Sequence, residues 1–314
     1  MTTLFDIVGE NLDRGYLNLR EPASKVEREM HRRLEAMWAV YEPYADPDFR
    51  EGFARDPDGR FWEMYIGYTL IEEGRTLLPA AKRQRGGGQP DLCVIDGERR
   101  IWIEAIAPDV GTAGPDQVRG PNPINEGGSL VLKPVRQAQL RITSAFWTKS
   151  QKVKSYLQQG VIGTEDVRLI AIGAARFGIY APEEPFPLVM SSLFPVGPEF
   201  VTIDREHGNV LDRGFYFSPT IERQGQNPIP RTAFIGDDFD HISGVIWSRV
   251  TVGNTSRKKR PLTLVHNPKA LVAMPHTWGV WDREFVTSKC GENWQAVDIL
   301  ARDPQDASPS EQAE

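Results

Sequence analysis

The chain has 314 residues, 40% of them hydrophobic and 25% charged, an ordinary globular composition that needs no covalent staples to bury a core. Its formal charge of -6 argues against a wholly basic nucleic-acid binder, and two distant cysteines, Cys93 and Cys290, exclude a disulfide framework or a cysteine-rich zinc site. No run approaches the roughly 18 apolar residues of a membrane span. The start Met1-Thr2-Thr3-Leu4 lacks the basic, apolar profile of a signal peptide, so a cytoplasmic protein without a membrane partner is expected.

In chain order, Val26, Met30, Leu34 and Met37 fall at helical spacing within Ser24 to Val40. Pro43, Pro47 and the Asp-Pro-Asp-Gly run from Asp56 to Gly59 mark loops around a short helical piece. A second helix is expected from Arg60 to Glu73, with Gly74 as its stop. A basic, glycine-rich connector follows through Gly88. Asp91 to Ile95 and Arg100 to Ile106 then read as a β-hairpin around the turn chemistry of Asp96-Gly97.

Ala107 to Gly128 is rich in Gly, Pro, Asn and Asp and reads as an irregular loop. A long helix is expected from near Lys133 to Gln159, closed by Gly160, and then a buried strand from Val167 to Ala174. Pro182 to Asp240 offers short apolar runs among Pro and Gly, without assignable elements. Ile242 to Val250 and Pro261 to Val265 read as further strands, and the polar tail after Asp303 as disordered. Cations gather in three places: six between Val131 and Gly160 with no acid among them, then Lys82, Arg83 and Arg85, then Arg257 to Arg260. In an acidic protein these clusters point to a locally basic groove.

The hairpin carries the chemistry. With Asp96 to Arg99 as its loop, Ile95 pairs with Arg100 and Asp91 falls opposite Glu104. Directly paired residues share a face, and like charges there call for a neutralising cation. A divalent metal suits two carboxylates; two acids capping strand ends in solvent is the plainer alternative. Scattered histidines and the lack of a Gly-x-Ser-x-Gly elbow give no support to a histidine metal site or a serine hydrolase.

Pro90-Asp91, a strand, a turn and then Glu104 resemble the PD-(D/E)XK superfamily of restriction-endonuclease-like proteins. Glu63, in Phe61-Trp62-Glu63-Met64-Tyr65, matches the acid which that family often supplies from a preceding helix. The resemblance covers about Arg60 to Ala174. It departs at Ile106, where the family pattern asks for a lysine two residues after the second acid. Such a lysine helps position the attacking water and stabilise charge on the phosphate. The following helix offers a substitute. Its apolar stripe, Val135, Ala138, Ile142, Ala145, Phe146, Val153 and Tyr156, places Lys149 in its middle, facing the sheet. A polar stripe carries Gln137, Arg141, Ser144, Thr148 and Lys152.

The expected fold is α/β, a mixed central β-sheet flanked by helices. An N-terminal helical extension spans 1–59 and a restriction-endonuclease-like core 60–180. A C-terminal β-rich extension continuing the core sheet spans 181–303, and a tail 304–314. The resemblance implies a nuclease dependent on Mg²⁺ or Mn²⁺ that hydrolyses DNA phosphodiester bonds. Asp91 and Glu104 would be metal ligands, Glu63 an auxiliary acid and Lys149 a relocated catalytic cation. Gln137, Arg141 and Lys152 would contact the nucleic acid, and a homodimer would be in keeping with the family. The alternative is an inactive nuclease-fold module that binds nucleic acid or a protein partner.

Overall fold

The computed structural model describes residues 2–83, 88–119, 134–177, 185–255, 261–291 and 293–301. Arg85, Gly86, Gly87, Lys133, the Arg257–Arg260 cluster and the tail after Asp303 lie outside them.

Four helices come first: α1 (Arg14–Arg20), α2 (Lys25–Tyr41), α3 (Phe49–Arg55) and α4 (Pro57–Glu72). Helix α2 starts at a capping box, with Ser24 accepting from the Glu27 N–H and Glu27 accepting from the Ser24 N–H, which satisfies two free donors of the first turn. Helix α4 begins on Pro57, the position where a missing N–H costs nothing. Gly74 follows it at φ 74°. Strands β1 (Thr76–Leu77), β2 (Leu92–Asp96) and β3 (Arg99–Ile106) precede the long helix α5 (Val135–Gln158) and β4 (Val167–Gly173). Then come α6 (Met190–Leu193), β5 (Val196–Ile203), β6 (Val210–Phe217), β7 (Thr220–Arg223), β8 (Gln226–Pro230), β9 (Gly244–Ser248), β10 (Thr263–His266), β11 (Arg283–Cys290) and β12 (Asn293–Asp298).

Eight strands form one mixed sheet in the order β1-β2-β3-β4-β9-β10-β11-β12. The pairs β3–β4, β4–β9 and β10–β11 are parallel, and the others antiparallel. The chain is thus mixed α/β, and the strands after residue 240 continue the sheet begun by the hairpin. Both sheet faces are covered. Ile101, Ile103, Leu169 and Ile246 pack with α1 to α4, while Trp102, Ile170, Ile172 and Val245 pack with α5 and α6. Strand alternation makes this division, and it assigns Glu104 and Ile106 to the α5 side.

The hairpin register is the one read from the sequence, Ile95 opposite Arg100, but Asp96 and Arg99 also pair, so the turn is Gly97-Glu98 alone. The stretch from Pro182 to Asp240 contains two separate two-stranded hairpins, β5–β6 and β7–β8. Among the described residues no helix is long and apolar enough to cross a membrane.

Candidate functional site

The β2–β3 register runs from Asp96↔Arg99 to Leu92↔Ile103; extended by one step, it sets Asp91 beside Glu104. Asp91 Oδ2 accepts the Ala105 N–H at 2.6 Å, which fixes that carboxylate across the mouth of the hairpin. Glu104 is 1% exposed. Its Oε1 receives two ammonium groups, Lys149 Nζ at 2.7 Å and Lys152 Nζ at 2.6 Å. Its Oε2 is buried and accepts no hydrogen bond among the described residues. Lys149 Nζ also lies 4.0 Å from Asp91 Oδ2. The two acids therefore share one lysine.

Both lysines come from α5. Ala138, Ile142, Ala145, Phe146, Val153 and Tyr156 bury the apolar stripe of that helix, and Lys149 sits within the stripe with its side chain 15% exposed. Lys152 is three residues on, hence on the same face. Its side chain is 47% exposed, so it bridges the buried acid and solvent.

Glu63 reaches the site from α4. Its Oε1 accepts the Tyr41 hydroxyl at 2.8 Å and its Oε2 accepts Arg60 at 2.9 Å. Tyr41 can lie there because Gly67, one turn further along α4, has no side chain. A Cβ at Gly67 would come within 2.4 Å of the Tyr41 ring. Burial and then the Asp91 charge push the Glu63 carboxyl up to about 8. The same two causes raise Glu104, against the pull of Lys149 and Lys152. Burial works against the Lys152 ammonium and is the largest single influence, yet the charge and hydrogen bond of Glu104, with Asp91 and Tyr156, together outweigh it and the net shift is upward.

Beside Lys152 opens a cleft of about 500 Å³, lined by Asp46, Asp48, Gly88, Gln89, Lys152 and Tyr156. Its two acids are held by Arg83 and Arg60, at 3.1 and 3.7 Å. Arg83 is 3% exposed. It donates to the carbonyls of Pro90 at 2.8 Å and Tyr44 at 2.8 Å, and to that of Asp91.

Glu63, Asp91, Glu104 and Lys149 are thus gathered together, and Lys152 joins them instead of facing outward with the polar stripe. Gln137 and Arg141 are not. Gln137 donates to the Pro115 carbonyl at 3.2 Å and Arg141 pairs with Asp109 at 2.6 Å, both in the loop after β3. They lie more than two turns of α5 before Lys149, too far along the axis to share its site. The basic groove also changes character, since Arg136, Arg141, Lys149 and Lys152 are each paired to an acid and Arg83 is a buried clamp. Tyr41, Arg60 and Arg83 lie outside the motif spacing that points to the site. Arg60 had a readable signal, its i,i+3 spacing to Glu63; Tyr41 and Arg83 arrive by tertiary packing.

Among the described residues no three His, Cys, Asp or Glu side chains form a group able to hold a metal ion by themselves. Asp91 and Glu104 supply two oxygen donors, one of them the unpartnered Glu104 Oε2, a set that fits a hard divalent cation completed by water and phosphate. Comparison of the chain with protein-family models, with curated proteins and with solved structures finds no match.

Proposed function

We propose that the chain is a divalent-metal-dependent phosphodiesterase acting on DNA, with β2, β3, α5 and β4 as a restriction-endonuclease-like core. The observation that carries this reading is the meeting of Asp91, Glu104 and Lys149 at the mouth of the hairpin. Asp91 and Glu104 would hold Mg²⁺ or Mn²⁺; when bound, such an ion binds a phosphate oxygen and acidifies water. The residues of the chain supply the rest. Lys149 sets a fixed positive charge beside the carboxylates, where negative charge develops on a phosphate under attack. Glu63, whose charged form burial and the Asp91 charge both disfavour, stays fixed by Tyr41 and Arg60. Arg83 holds the Pro90 and Asp91 backbone in place. Lys152, half-exposed at the cleft, is free to exchange Glu104 for a phosphate oxygen.

One observation favours a second reading, a nuclease-fold module that binds without cleaving. Glu104 Oε1 is already neutralised by two ammonium groups, a self-contained arrangement that an inert core would keep. The deciding experiment is incubation of supercoiled plasmid and short duplexes with Mg²⁺, Mn²⁺ or chelator, using the wild type and Asp91→Asn. Metal-dependent cleavage lost in Asp91→Asn is expected. Duplex binding without cleavage under any metal would establish the second reading.

A further inference from the structure

The β5–β6 hairpin stands over the β11–β12 end of the sheet and closes a cavity of about 660 Å³ that shares no residue with the carboxylate site. That volume falls within the range of small-molecule sites. Seven aromatic residues line it, among them Phe186, Phe200, Phe215 and Trp294. The Phe186 ring lies 5.1 Å from Phe215 and 5.9 Å from Phe285. Such faces receive flat rings by offset or edge-on stacking.

The register of β11 and β12 sets Thr287 opposite Ala296 and Lys289 opposite Trp294. Residues two apart in a strand share a face, so these four side chains form one row beneath the hairpin. The row grades from buried Phe285 and Thr287 to exposed Lys289. Two polar groups in it have no partner among the described residues. Thr287 is 6% exposed, and its buried Oγ1 makes no hydrogen bond, an arrangement folded proteins generally avoid. Lys289 makes no ion pair among the described residues, whereas Arg213, the other cation of the lining, is held by Glu199 at 2.5 Å. Asp212, the acid of the lining, turns back to accept its neighbour's N–H at 2.8 Å.

We infer that this cavity binds a small aromatic acid. The ring system lies among Phe186, Phe200, Phe215 and Trp294, a polar atom on the ring edge meets the Thr287 hydroxyl, and the anionic group emerges beside Lys289. The assignment is independent of the phosphodiesterase reading and stands or falls without it.

The test uses two fluorescent probes with the same ring system, anilinonaphthalenesulfonate and its uncharged counterpart N-phenylnaphthylamine, titrated into the full chain. The sulfonate is expected to bind about fivefold more tightly, the scale of an ion pair at a partly exposed site. Lys289→Gln, at an exposed position, is expected to erase that preference while keeping the wild-type unfolding midpoint. Ala296→Trp fills the cavity and is expected to abolish binding of both probes. This last variant also separates the cavity from the exposed apolar side chains of the hairpin that lie outside it, among them Val201, Val210 and Leu211. Equal affinity of the wild type for the two probes would overturn the acid assignment. Undiminished binding by a folded Ala296→Trp would overturn the site itself.

Discussion

Lys149 Nζ lies 2.7 Å from Glu104 Oε1 across 45 residues of sequence. In the restriction-endonuclease-like pattern that the proposed function draws on, such an amine would stand two residues after that acid, on the same strand. Here Ile106 fills that position and packs toward the α5 side of the sheet, and the helix crossing that side provides an ammonium instead. A buried carboxylate and a largely buried ammonium each carry a desolvation cost that their pairing offsets, so the contact is structurally fixed whichever function it serves.

The first prediction follows from that contact. Lys149→Ala is expected to lower Mg²⁺-dependent cleavage by about 10²-fold or more, the scale of losing one group that stabilises transition-state charge. Duplex affinity in Ca²⁺ should change by less than about threefold, because Lys149 is already engaged by Glu104 and Asp91 before any duplex binds. Gel-based cleavage beside a binding titration reads both numbers. Equal cleavage by mutant and wild type would remove Lys149 from the chemistry.

Lys152 leads to a prediction of opposite sign. It lies 2.6 Å from the same Glu104 oxygen, so it repels any divalent cation that Asp91 and Glu104 hold. Its side chain is half in solvent, and screening keeps that repulsion modest. Lys152→Ala is therefore expected to bind Mn²⁺ about threefold more tightly by calorimetry, even where cleavage falls. Unchanged affinity in a wild type that does bind Mn²⁺ would show that Lys152 and the metal do not compete.

How much of this was legible in the sequence varied with the range of the interaction. The hairpin register, the extent of α2 and the buried stripe of α5 follow from local spacing, and the structure has them where periodicity and turn chemistry put them. The pairings of Arg141 and Arg83 do not follow from spacing. A cation looks alike whether it meets a phosphate or a carbonyl 39 residues away, as Arg83 does at Tyr44. The β5–β8 region escaped for another reason. Its strands are exposed on most positions, so no in–out alternation marks them.

Arg83 makes its own prediction. Its guanidinium satisfies the carbonyls of Tyr44, Pro90 and Asp91 together with Asp46. Removing it leaves buried acceptors unpaired, at about 1–3 kcal/mol each where water cannot replace it. Arg83→Ala is expected to cost about 2–4 kcal/mol in a denaturant titration, with Arg83→Lys rescuing little, since one ammonium cannot reproduce the planar fork. A phosphate-binding role would instead leave stability intact and reduce the salt dependence of DNA binding.

The last prediction concerns Glu63 and pH. Its carboxyl titrates near 4.5 in an ordinary setting and near 8 in the folded protein, first through burial and second through the Asp91 charge. Between those two values the native state holds a proton that the unfolded chain has lost, so stability falls as pH rises. The contribution is complete below the unfolded value and gone once the pH passes the folded one. Glu63→Gln carries no titrating proton and keeps an acceptor for Tyr41 or Arg60. Its unfolding midpoint is therefore expected to start lower but to vary less than the wild type between about pH 5 and pH 8. Mn²⁺ supplies a second arm. A cation held at Asp91 would neutralise the charge that helps raise Glu63, so it should flatten the wild-type profile, while raising that of Glu63→Gln without changing its pH slope. Parallel profiles for wild type and mutant without metal would show that Glu63 is ionised throughout, and that its partners Tyr41 and Arg60 outweigh its burial.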